Sequence, residues 1–185
     1  MRKGDWIETY TGKKFWPLDP RPEDICIEDI AHALSNTCRY NGHCKHYFSV
    51  AQHSLNCCFY TMRLPNIPLR FALLALLHDA AEAYVSDMAR PIKPFIKGFE
   101  EIEDNCQRVI YEALSIKPPN VLGREFVKSV DSIMLVTEAK VLMLFDGWGK
   151  WTEDVEPDDL TMILNENPED VRDRFIRQYE YLRGE

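Results

Sequence analysis

The chain has 185 residues and a formal net charge of −8. Hydrophobic residues make up 45% and charged residues 28%, ordinary globular values, and the length predicts one domain over residues 1–185 with a substantial core. The acidic balance argues against a nucleic-acid polymer or an acidic membrane surface as partner. No apolar run approaches the roughly 20 residues that span a bilayer. Met1 to Trp6 lacks a signal-type apolar region. The six cysteines, Cys26, Cys38, Cys44, Cys57, Cys58 and Cys106, show no CxxC and no paired zinc-finger spacing, so a cytoplasmic protein with free thiols is expected.

In chain order, Ile7-Glu8-Thr9-Tyr10 and Phe15-Trp16 flank the Gly12 turn and predict a small β-hairpin. Leu18-Asp19-Pro20-Arg21-Pro22 reads as a stiff connector. After Asp24, the apolar residues Ile27, Ile30, Ala31 and Leu34 fall on one face of a helix. Cys38 to His46 then packs Arg39, His43, Lys45 and His46 around Gly42. So many donors in an acidic chain point to an anion site, phosphate above all, although a solvated basic loop has the same composition.

Ser49 is an expected N-cap for a helix with Val50, Leu55, Cys58, Phe59 and Met62 along one stripe. Pro65-Asn66-Ile67-Pro68 ends that helix and starts the next, which runs through Phe71 to Leu77 into His78-Asp79. A connection this short makes the two helices antiparallel neighbours. His53 and His78 are nearly equidistant from Asn66, so at a constant rise per residue they face each other at one height. That makes His53 the preferred partner of His78, with His46 in reserve. Downstream, Lys93 lies in a loop, Glu100 to Leu114 is amphipathic, and Arg124 to Phe145 is the longest helical pattern. The latter carries Asp131 and Glu138 two turns apart on one face. Asp131 sits at the edge of an apolar stripe, where a buried acid wants a cation. Gly147 to Trp151 reads as an aromatic turn, and Pro157 to Glu185 as a charged helical end for packing or subunit contact.

A buried His-Asp pair followed by Glu82 and Asp87 is costly unless something pairs with it, and a divalent metal takes imidazole and carboxylate together. The candidate ligands are His53, His78, Asp79 and Asp131. This mixed set suits Co, Mn, Zn, Ni, Fe or, less well, Mg. Glu82 would hold a water or orient a ligand, Asp87 is a candidate proton donor to a leaving ester oxygen, and Arg39, Lys45 and Lys93 would hold phosphate. Trp6, Phe15, Trp16 and Tyr40 are candidates for stacking on a base.

These residues carry a resemblance to a family. Ser49-Val50-Ala51-Gln52-His53-Ser54, the run from His78-Asp79-Ala80-Ala81-Glu82 through Asp87 to Lys93, and Val130-Asp131 with Thr137-Glu138-Ala139 are together similar to the HD-domain metal-dependent phosphohydrolases. The likeness is to their small bacterial and phage 5′-deoxynucleotidase branch. Ser86 stands where that branch usually has glycine, and Met88-Ala89-Arg90 replaces a more proline-rich run. The resemblance implies an all-α fold, a compact HD-domain helical bundle with a small N-terminal hairpin. It implies hydrolysis of the 5′-phosphate ester of a 2′-deoxynucleotide and a homo-oligomer, dimer or hexamer. Carried over by position, it makes His53, His78, Asp79 and Asp131 the metal ligands, Glu82 and Asp87 the catalytic acids, and Arg39 a substrate-binding residue. Similarity to phage dATP triphosphohydrolases favours adenine, and the His43, Lys45, His46 cluster favours room for a polyphosphate. The competing readings are a non-catalytic, metal-stabilised nucleotide-binding regulatory module and a metal-free helical interaction protein.

Overall fold

A computed structural model describes residues 2–145, 147 and 155–184. Among these the chain is all-α but for one hairpin. Strands β1 (Ile7–Glu8) and β2 (Lys14–Phe15) pair antiparallel, Ile7 opposite Phe15 and Glu8 opposite Lys14. Gly12 closes the turn at φ +81, with its N–H on the Thr9 carbonyl at 2.9 Å. Seven α-helices follow: α1 (Ile27–Asn36), α2 (Val50–Arg63), α3 (Leu69–Leu76), α4 (Glu82–Val85), α5 (Phe99–Ala113), α6 (Val121–Leu142) and α7 (Pro168–Gly184). No described helix is long and apolar enough to cross a membrane.

Local chemistry explains most of the boundaries. Ser49 caps α2 through a reciprocal pair: its hydroxyl accepts from the Gln52 N–H at 3.2 Å, and its own N–H donates to Gln52 Oε1 at 2.9 Å. Two of the otherwise unpaired backbone donors at the helix start are thereby satisfied. Asn120 caps α6 by accepting the Gly123 N–H at 2.9 Å. Pro65 to Pro68 separates α2 from α3, with Asn66 at φ +62, a conformation asparagine tolerates better than most residues.

The core joins Ile30 and Leu34 of α1, Val50 and Leu55 of α2, Leu74 and Leu76 of α3, Ile110 of α5 and Phe175 of α7. The hairpin is fastened to it at two points. Phe15 is fully buried and stacks on Tyr84 of α4 at 3.9 Å. Asp29 of α1 accepts the Thr11 N–H at 2.7 Å, the Thr11 hydroxyl at 2.9 Å and the Cys26 thiol at 3.0 Å. Phe15 is therefore core and unavailable for base stacking. Trp16 lies under the Arg2 guanidinium and Trp6 under the Lys14 ammonium, each at 4.5 Å.

Two elements differ from the sequence reading. The helix before His78-Asp79 stops at Leu76, and His78 and Asp79 occupy a turn between α3 and α4. Leu and Ala propensity would have carried the helix on, but Gln107 of α5 captures the freed backbone. It accepts the Ala81 N–H at 3.0 Å and donates to the Leu77 carbonyl at 2.8 Å. Tertiary hydrogen bonding thus replaces the helical pattern. The carboxy-terminal helix starts only at Pro168. Residues 157–167 run without helix over α2 and α6, where Asp158 N–H donates to Thr137 Oγ1 at 2.8 Å and Gln52 Nε2 donates to the Leu164 carbonyl at 3.0 Å. Trp148 to Trp151 of the expected aromatic turn lie outside the described residues.

Candidate metal centre

Three elements converge on one point. The α2–α3 hairpin places His53 and His78 with ring centroids 5.2 Å apart, and α6 presents Asp131 between them. His53 Nε2 lies 3.1 Å from Asp131 Oδ1 and 3.9 Å from Asp79 Oδ2. His78 Nε2 lies 3.1 Å from Asp79 Oδ2 and 4.0 Å from Asp131 Oδ1. Cys57, one turn beyond His53, completes a group in which the His53, Cys57 and His78 donor atoms all fall within 4.8 Å of one another. This group could hold a metal ion.

The donors fit such an ion in three respects. With metal–ligand bonds of about 2.0–2.2 Å, adjacent ligand atoms sit about 3–3.5 Å apart and opposite ones about 4 Å apart. The four His–Asp separations fall on those two values. The His78 ring also has its tautomer set. Its Nδ1 is 2.8 Å from the Ala75 carbonyl, which can only accept, so Nδ1 carries the hydrogen and Nε2 keeps a lone pair. His78 Nε2 is buried and, despite its closeness to Asp79, has no hydrogen bond. A lone pair aimed at carboxylates is repulsive without a cation between them. Formal charge agrees: Asp79, Asp131 and Glu138 bring three negative charges and buried Arg39 one positive, a deficit that one divalent ion neutralises.

Without an ion the cluster holds protons instead. Burial opposes charge on His53, as does Arg39, but Cys57, Glu138 and Asp131 outweigh them and hold its pKa well above the ordinary imidazole value. For His78, burial is outweighed by Asp79, and its pKa is also raised. Burial tends to raise both Asp131 and Asp79, yet His53 and His78 respectively pull them below the usual carboxylate range. Cys57 differs: burial pushes its thiol up to about 11, and it packs with Ala75, Val130 and Met134. The ionised carboxylates are therefore better partners for the two imidazoles than this protonated thiol.

Further acids and cations surround the four donors. Glu82 opens α4, and burial together with Asp79 and Asp87 raises its pKa well above the carboxylate range. Burial likewise raises Asp87. Arg39 enters from the loop before α2, with Nε 3.3 Å from Glu138 Oε2 and NH1 4.0 Å from Asp79 Oδ2. Three successive positive φ values, at Tyr40, Asn41 and Gly42, turn that loop, and the Arg39 N–H donates to the Phe48 carbonyl at 2.9 Å. Tyr40 stays beside it, its ring 5.5 Å from the guanidinium. Lys93 is paired with Glu103 of α5, and its field reaches Glu82 and Asp79.

The remaining basic candidates lie elsewhere in the loop. Lys45 is exposed and bound to the end of α6, its Nζ donating to the Val141 carbonyl at 2.9 Å. His43 is exposed. His46 Nδ1 lies 3.2 Å from the Tyr47 carbonyl. The structure thus gathers His53, His78, Asp79, Asp131, Glu82, Asp87, Arg39 and Lys93, and directs the contacts of Lys45 and His46 to other groups.

Sequence reasoning missed four residues. The sequence puts Glu138 on the face of Asp131 but gives no sign of its partnership with His53. Cys57 reads from sequence as one free thiol among six, and Asn56 carries no sequence signal. Gln107 carries no sequence signal, because its partners are backbone atoms remote in the chain.

No family model matches the chain. It is 40% identical over 142 residues to an uncharacterized protein of Escherichia coli K12, YfdR, an overlap covering 77% of this chain and 75% of that protein. It is 35% identical over 150 residues to an uncharacterized protein of Rhodobacter capsulatus, RCAP_rcc00048, covering 77% of this chain and 76% of the relative. Identity at that level, over three quarters of both sequences, means that the chain belongs to the same protein family as YfdR.

Proposed function

We propose that this protein is an HD-type metal-dependent phosphohydrolase that cleaves the 5′-phosphate ester of 2′-deoxynucleotides. The observation that carries the reading is the convergence of His53 Nε2, His78 Nε2, Asp79 Oδ2 and Asp131 Oδ1 at coordination distances, with a charge deficit of two. A divalent ion bound there, whether Co, Mn, Zn, Ni, Fe or Mg, supplies an acidified water and a positive charge for a phosphate oxygen. The chain's own residues do the rest. Arg39 and Lys93 offset the phosphate charge and orient it. Burial and the fields of Asp79 and Asp87 raise the Glu82 pKa, which suits it to hydrogen-bond an incoming water or a phosphoryl oxygen. Asp87, also raised by burial, is the proton donor to the ester oxygen that leaves with the sugar.

The deoxy and adenine preferences rest on the resemblance to the phage enzymes. A homo-oligomer is consistent with Phe95, Leu122, Leu144, Leu160 and Met162, all large, apolar and strongly exposed. The deciding experiment measures phosphate, pyrophosphate and triphosphate release from each deoxy- and ribonucleotide with each divalent ion. Deoxynucleoside with phosphate from dAMP, or with triphosphate from dATP, is expected. dADP or dAMP as the first product from dATP would refute cleavage of the 5′-ester bond, the one in which the sugar oxygen leaves. Metal and nucleotide binding without release would favour the regulatory module.

A further inference from the structure

We propose that Glu138 is the positioning residue of this centre, a single carboxylate that sets both the metal-binding face of His53 and the anion-binding guanidinium of Arg39. The inference rests on the metal-dependent reading above and assigns Glu138 a role outside the ligand set.

Glu138 has no exposed surface, and a carboxylate so placed is retained only where donors surround it. It has three. His53 Nδ1 lies 2.9 Å from Oε2 and 3.1 Å from Oε1. Asn56 Nδ2 donates to Oε1 at 3.1 Å, and Arg39 Nε stands 3.3 Å from Oε2. These side chains come from three segments: the loop before α2, α2 itself and α6.

The geometry separates Glu138 from the ligands. It faces Nδ1, the side of the His53 ring away from Asp131 and Asp79. A carboxylate only accepts, so Nδ1 carries the hydrogen, and Nε2 presents its lone pair to the centre once the ring is neutral. A carboxylate behind a ligating imidazole also raises its basicity and fixes its rotation. The same Oε2 faces Arg39 Nε, whose NH1 reaches towards Asp79 at 4.0 Å. Rotation of Glu138 would therefore disturb a metal ligand and a phosphate-binding cation together. Asn56, one turn after His53 on α2, holds the carboxylate from the third side. On α6, Asp131 and Glu138 lie two turns apart on one face, so a single rigid helix supplies a donor to the ion and the support for its neighbour.

The test uses the full chain and Glu138→Gln. Glutamine keeps the shape and can accept from His53, but it loses the charge and offers N–H groups to Arg39 or Asn56. Three quantities are read: Co(II) affinity by visible titration, inorganic phosphate affinity of the Co(II)-saturated protein, and the ¹⁵N signals of the His53 ring in the Zn-loaded and metal-free wild type. The variant, folded by circular dichroism, is expected to bind Co(II) about 10- to 100-fold more weakly, the usual effect of losing such a support. It should also bind phosphate more weakly once saturated with metal. The wild-type His53 ring should be the Nδ1–H form at pH values where it is neutral. Both affinities within twofold of wild type, or loss of only one of them, would overturn the shared role. So would an Nε2–H tautomer in the wild type, a result that stands even where the variant fails to fold. A wild type that binds no Co(II) would instead overturn the metal reading, and this inference with it.

Discussion

Gln107→Met tests whether a tertiary clamp, rather than helix propensity, shapes the His78-Asp79 turn. Methionine keeps the length and volume of the side chain but removes both hydrogen bonds, so no large cavity confuses the result. The two backbone groups affected belong to Leu77 and Ala81, 0% and 2% exposed; the Leu77 carbonyl keeps the Ala80 N–H at 3.2 Å, whereas the Ala81 N–H is left without a partner. A net hydrogen bond contributes about 0.5–1.5 kcal/mol, and a buried polar group left alone costs about 1–3 kcal/mol. One orphaned N–H and one further hydrogen bond lost give an expected loss of about 1.5–4 kcal/mol, or a fall in Tm of about 3–15 °C for a chain of this size. The turn also holds two proposed ligands, so Co(II) affinity should fall alongside stability, although Gln107 touches neither. Chemical denaturation of the metal-free protein gives the first quantity, and a Co(II) titration below the melting range gives the second. A stability loss under about 0.5 kcal/mol would show that the turn closes without Gln107 and refute the argument.

Ser86 ends α4 at φ +73 and ψ 154, a region nearly restricted to glycine, where strain is of order 1–3 kcal/mol. Ser86→Gly should therefore raise Tm by a few degrees with little change in metal binding, and an unchanged or lowered Tm would count against strain there. Asp131→Ala should abolish stoichiometric metal after desalting while His46→Ala retains it, as read by elemental analysis; the opposite ranking would move the ligand to His46. Glu82→Ala should leave metal in place and lower kcat by about 10²–10⁴, so near-normal turnover in a metal-replete sample would make Glu82 structural. The pKa values of His53 and His78 are raised in the metal-free fold. The stability they contribute is full below the unfolded value near 6.5 and is lost as pH rises through the folded values. Metal competes for the same nitrogen positions, so the rise in Tm on adding saturating metal should grow from about pH 6 to pH 9; a constant or shrinking increment would contradict the proton-for-metal exchange.

The elements that were legible in the sequence are those whose chemistry is local. The Ser49 cap, the Pro65 to Pro68 break, the Gly12 turn and the apolar stripes of α1, α2, α5 and α6 each depend on residues within a turn or two of one another. Because α2 and α3 are joined by a short break, even the meeting of His53 and His78 followed from rise per residue. The sequence alone also marked Asp131 as an acid too close to an apolar stripe to stand unpaired.

Tertiary structure decided what depends on distant partners. It ended α3 at Leu76, because Gln107 from α5 satisfies backbone groups that a helix would have used. It kept residues 157–167 out of helix by spending their backbone on Gln52 and Thr137. It drew Lys45 to the end of α6 and Arg39 inward to Glu138, two basic residues of one loop that composition could not tell apart. Glu138 itself is a lone acid in a helical pattern until α2 and the Arg39 loop close around it. The ligand set can be read along the chain because its spacing is helical, whereas its supports depend on which remote segments pack together, and only the folded core settles that.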